Sequence, residues 1–142
     1  MSPVRLIALA FCLAALVPDL RAEEEDQPSP VDLLLEQVSR DLKKLSRQFD
    51  NPESRDSSLG LADKLIEATG KARDMQPESA GERTGEELAK YMALYHQGMD
   101  ALLVQFQALK KAIETDEVGA AEAAIEESYA LREKYHMELD VR

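Results

Sequence analysis

Residues 84–114 read TGEELAKYMALYHQGMDALLVQFQALKKAIE, and their apolar positions decide the fold. Leu88, Met92, Tyr95, Met99, Leu102, Phe106, Leu109 and Ile113 follow one another in alternating steps of four and three. At about 3.6 residues per turn, that spacing draws one stripe down one face of a helix. A helix with a single apolar stripe has to bury it against neighbours. Thr84, with Glu87 three residues on, reads as a capping box that sets the helix start.

The same period recurs on both sides. In SPVDLLLEQVSRDLKKLSRQF, residues 29–49, Ser29 is an N-cap, Pro30 suits the first helical position and Asp32 completes the cap. Its stripe is Val31, Leu35, Val38, Leu42, Leu45 and Phe49. DNPESRDSS (50–58) interrupts with turn formers, and a second stripe runs through Leu61, Leu65, Ala68, Ala72 and Met75 until Pro77 ends it. QPESAGER (76–83) reads as a loop and ETDEVG (114–119) as a tight connection. The last stripe takes Val118, Ala121, Ile125, Tyr129, Leu131 or Arg132, Tyr135 or His136, and Leu139. The pattern predicts helices near 30–49, 57–76, 84–114 and 117–140. Four such helices with short connections imply an all-α, antiparallel up-down-up-down four-helix bundle.

The N-terminus has the outline of an export signal. MSPVR is positively charged, LIALAFCLAALV (6–17) is an unbroken apolar run, and Ala22 closes a small-residue end before EEEDQP. Residues 1–22 are expected to be a cleaved signal peptide, leaving one domain over 23–142 and placing the protein in the periplasm. The apolar run is shorter than the roughly 20 residues a membrane helix needs, so no anchoring is expected. The one cysteine, Cys12, lies in this segment with the bulky Phe11 before it, against a lipoprotein site. The mature chain is therefore expected to have no thiol and to rely on its core for stability. The segment holds Arg5 and Arg21 against Asp19, so its removal takes the net charge from −11 to about −12. That balance argues against nucleic acid as a partner.

No enzyme signature is present: no HExxH, no GxSxG, no CxxC, no mature cysteine nucleophile. Glu133 stands three residues before His136, but the second Glu-x-x-His that a di-iron bundle needs is missing. Asp100 and Gln105 flank the stripe, and His96 falls one position off it. His136 differs from His96. Steps of four and three back along the last helix reach Arg132, Tyr129 and Ile125, which places the imidazole at the inner edge of the bundle with Arg132 one turn earlier. The spacing alone fits a hydrogen-bonded structural histidine or a metal ligand.

Residues 96–142, HQGMDALLVQFQALKKAIETDEVGAAEAAIEESYALREKYHMELDVR, resemble the C-terminal half of the cytochrome b562 family of small periplasmic haem-binding bundles. Gly98, Asp100, Leu102 and Gln105 carry the likeness in the third helix. Val118, Ala121, Ala123, Arg132 and the Tyr135–His136 pair continue it in the fourth, in register without a gap. DLLLEQVSRDLKKL (32–45) resembles the family's first helix more loosely, through Leu42 and Lys43. The resemblance implies a non-covalent haem b near one end of the bundle, with His136 as axial ligand and Arg132 near the haem edge, where a guanidinium can pair with a propionate. It places Tyr95 and Met99 where the family sets aromatic rings against the porphyrin, so one of the two rings is kept. The family's axial methionine falls at Leu35, and the first helix holds no methionine, histidine or cysteine to replace it.

Two functions follow from the resemblance. One is a periplasmic electron carrier with His136 on the iron, no second axial ligand from the first helix, and a redox partner protein. The other is a haem-free periplasmic bundle with an interaction or stress-related role. Either is expected as a monomer or weak oligomer without enzymatic activity.

Overall fold

The computed structural model describes residues 27–140, so the expected export segment lies outside the described residues. Four helices account for most of them: α1 (Pro30–Leu45), α2 (Arg55–Arg73), α3 (Gly85–Glu114) and α4 (Val118–Glu138). Short 3-10 turns at Pro52–Ser54 and Glu78–Ala80 lie in the first two connections. Each helix packs against the next in sequence, forming the antiparallel four-helix bundle with no strand among the described residues. Three seams close tightly, α1 on α2, α2 on α3 and α3 on α4, whereas Cα atoms of α1 and α4 scarcely come within 8 Å of each other.

The helix ends follow local chemistry. Ser29 starts α1 with a reciprocal box: its Oγ accepts from the Asp32 amide at 3.2 Å, and Asp32 Oδ2 accepts from the Ser29 amide at 3.2 Å. α1 stops at Leu45 rather than near 49, because the chain tightens into i→i−3 bonds such as Gln48 N–H to Leu45 O at 3.0 Å. α2 stops at Arg73 rather than near 76. A proline ring clashes with the carbonyl four residues earlier, and for Pro77 that residue is Arg73. α3 does begin after Thr84, but Thr84 makes no side-chain cap bond. Gly85 sits at φ +57, which turns the first step out of the right-handed helix, and Glu87 lies 3.9 Å from Arg83 instead of reaching back to the cap.

The core divides along the bundle axis. One end and the middle are filled by aliphatic side chains and Phe106, with Leu42, Leu45, Leu65 and Leu109 fully enclosed. The other end gathers Ala80, Tyr91, Tyr95, Met99, Tyr135 and Leu139. In α4 the buried positions are Ala121, Ala124, Ile125, Ser128 and Tyr135, while Val118 and Tyr129 of the expected stripe are exposed. Ser128 can occupy the core because its hydroxyl donates to Ala124 O at 2.7 Å, so its own proton is not left without a partner.

Candidate functional site

A cleft of about 360 Å³ opens at the end of the bundle where α1 begins, α2 stops and α4 finishes. Leu35, Val38 and Ser39 come from α1, Tyr95, Gly98, Met99 and Leu102 from α3, and Leu131, Arg132, Tyr135 and His136 from α4. Pro77 and Ser79 reach it from the connection after α2. The cleft thus draws on α1 and α4, the neighbours whose backbones stay apart. All five residues singled out from the sequence, Leu35, Tyr95, Met99, Arg132 and His136, line it.

On the α3 wall the tyrosines are tied down. Tyr95 is buried and its hydroxyl donates to Ala72 O at 2.5 Å, pinning the ring to the end of α2. Burial, and then Tyr91 and the Asp32 carboxylate, push its phenol up to about 12, so it stays protonated at neutral pH. Tyr91 lies one position off the predicted stripe yet is also buried. Its hydroxyl donates to Ser79 Oγ at 2.6 Å and the Arg83 guanidinium stands 4.4 Å from its ring centre. Met99 is 9% exposed, packed in the aromatic end of the core.

The α4 wall carries the chemistry. Tyr135 points into the core and lies flat against the backbone of α3 at Gly98, where an added Cβ would sit 2.8 Å from the ring Cγ. One residue on, about 100° around the helix, His136 faces the cleft mouth and keeps part of its ring in solvent. Burial of the rest, and then the positive charge of Arg132, pull its pKa below the usual 6.5. The imidazole is therefore neutral at physiological pH, with a lone pair to offer. Arg132 makes no ion pair with any carboxylate among the described residues, which leaves a half-buried guanidinium at the cleft rim. The α1 wall is chemically quieter. Leu35 is partly buried against the aromatic cluster, Ser39 Oγ donates to Leu35 O at 2.9 Å, and Asp32 is engaged in the cap with Ser29.

The remaining flagged residues lie elsewhere. His96 is half-buried beside Tyr95, ring centres 5.9 Å apart, outside the cleft. Asp100 pairs with Arg73 of α2, with Nη2 to Oδ2 at 3.1 Å, and has a structural task. No group of three or more His, Cys, Asp or Glu side chains among the described residues is placed to hold a bare metal ion. The cleft offers one imidazole and one guanidinium among mainly apolar lining side chains. Among known families, the model for Cytochrome b562 matches residues 35–139, a span that holds the cleft-lining residues other than Asp32. Neither a curated protein nor a solved structure matches the chain.

Proposed function

The chain belongs to the cytochrome b562 family of haem-binding electron carriers, which are not enzymes, and from that premise we propose that it carries haem b non-covalently in this cleft as a periplasmic electron carrier. The convergence of Leu35, Tyr95, Met99, Arg132 and His136 on one cleft is the observation that carries the reading. The residues fit the group. A neutral imidazole is available to an iron, the uncompensated Arg132 to a propionate, and apolar side chains line the space between. The volume lies in the range of about 300–1,000 Å³ typical of small-molecule sites.

Each residue has a task in this reading. His136 would ligate the iron through a ring nitrogen, Arg132 would bind a propionate, Tyr95 and Met99 would pack against the ring, and Leu35 would supply apolar contact from α1. Haem when bound supplies a one-electron Fe(III)/Fe(II) couple. The exposed position of His136 would keep that couple near the surface, within reach of a redox partner. The acidic net charge of −11 favours a basic partner. Export is supported by the signal-like residues 1–22, and among the described residues no helix is long and apolar enough to cross a membrane.

Titration of the purified protein with haemin tests the reading. The Soret band is expected to shift on binding, and His136→Ala to weaken binding by at least about tenfold, equivalent to about 1.4 kcal/mol. A second reading, a haem-free bundle with an interaction or stress role, is supported by Leu35 filling space against the aromatic core. It wins if haemin gives no shift, or one that His136→Ala leaves unchanged.

A further inference from the structure

Resting on the haem reading above, we infer that the cleft leaves one face of the iron open to a neutral diatomic ligand, and that its α1 wall selects carbon monoxide over dioxygen. The ligating capacity of the lining is unequal. On α4, His136 offers an imidazole at the mouth. On α1, Leu35 and Val38 are hydrocarbons, Asp32 is held in the helix cap by the Ser29 hydroxyl at 2.7 Å, and Glu36 is exposed to water. On α3, the Tyr95 phenol is protonated and bound to Ala72 O, and the Met99 thioether is packed among aromatic side chains. One strong ligand faces a wall that has none. A ferrous iron held by His136 alone keeps a free coordination position, which a small ligand fills by donating its own lone pair. No bond breaks, and no electron leaves the pair.

The identity of that ligand follows from the hydrogen-bond ledger of the same wall. Distal polarity and donors decide between dioxygen and other ligands at a haem. Dioxygen draws negative charge onto itself as it coordinates and depends on a nearby donor, whereas carbon monoxide stays almost apolar. The proton of Ser39 is already given to Leu35 O at 2.9 Å, and that of Tyr95 to Ala72 O at 2.5 Å. The cationic Arg132 belongs to α4, on the side of His136. Ser79, whose Oγ accepts from Tyr91 at 2.6 Å, lies in the connection after α2 rather than on α1.

The test uses the purified full chain loaded with haemin, reduced with dithionite and exposed to carbon monoxide, then to air. A five-coordinate, high-spin ferrous spectrum is expected, converted by carbon monoxide to a sharp low-spin adduct. Air should oxidise the iron without a stable adduct. Leu35→Met should give a low-spin ferrous protein that binds carbon monoxide at least about tenfold more weakly, and Ser39→Ala should leave both responses as in the wild type. A wild-type ferrous spectrum that is already low-spin and turns high-spin in Met99→Leu overturns the inference, because Met99 then fills the open face; haem binding itself survives that result. A stable dioxygen adduct lost in Ser39→Ala overturns the selectivity. If haemin does not bind through His136 at all, the haem reading fails first and takes this inference with it.

Discussion

Gly98 has no side chain, and the Tyr135 ring fills the place one would take, 2.8 Å from a notional Cβ to Cγ and 2.9 Å to Cδ1. Alanine there must push the ring away, and overpacking of this kind costs about 1–3 kcal/mol. The better helix propensity of alanine returns up to about 1 kcal/mol. Gly98→Ala is thus expected to lower the urea midpoint, and to raise it when made in a Tyr135→Ala background; a loss in both backgrounds would refute the contact. Thr69 is the opposite case. It is buried, and its Oγ1 is without a hydrogen-bond partner. Thr69→Val keeps the shape, removes the orphaned hydroxyl, and should stabilise by about 1 kcal/mol in denaturant unfolding. His136 makes stability depend on pH. Its folded pKa lies below the 6.5 of the unfolded chain, by burial and then by Arg132. As pH falls through about 6.5 the unfolded state takes the proton first, so haem-free stability should decline there and level off below the folded pKa. An NMR titration should place His136 below 6.5, with Arg132→Gln moving it upward. His136 and Arg132 were legible as residues because α4 carries them one turn apart. The buried tyrosine at 91 was not, because it breaks the four-three spacing and owes its place to hydrogen bonding with Ser79.

At the scale of elements, α3 was the clearest in the sequence: its stripe is long, and Tyr95 through Ile113 are buried at the expected period. α4 was less legible. Its core face is built from alanines and Ser128, which carry little hydrophobic signal, so the exposed Tyr129 stood in for a buried position it does not hold. Helix ends were set by interactions that periodicity does not contain, such as the Pro77 ring against Arg73 and the left-handed Gly85. Where a local rule did apply, it can be tested. Ser29 closes a reciprocal box at the start of α1, three residues ahead of a cleft-lining carboxylate. Ser29→Ala should cost about 1 kcal/mol and raise amide exchange in the first turn of α1, while exchange in α3 stays unchanged. The ion pairs that link α2 to α3, Arg73 with Asp100 and Lys110 with Asp63 at 2.7 Å, are solvent-exposed. Such pairs contribute little and are screened by salt, so Asp100→Asn should leave the unfolding midpoint close to wild type in 0.5 M salt.

For the molecule as a whole, the bundle and the placement of its cleft follow from the order of four amphipathic helices. The spacing between α1 and α4 does not, because no residue pattern fixes how far the fourth seam opens once the other three have closed. A ligand that binds only the folded form stabilises it by mass action, about 2.7 kcal/mol at a hundredfold excess over Kd. For a domain of this size, haemin should raise Tm by on the order of 10 °C, and His136→Ala should abolish most of that gain. The open seam has a topological meaning as well. α1 and α4 are the first and last helices, and Leu35 and His136 stand roughly a hundred residues apart along the chain. A group held by His136 and packed on Leu35 acts as a reversible staple between the two ends of the fold, present only while the chain is folded because it binds that form alone. Because the chain runs outward from the staple at both ends, a force applied to the termini would load this joint before any of the three packed seams.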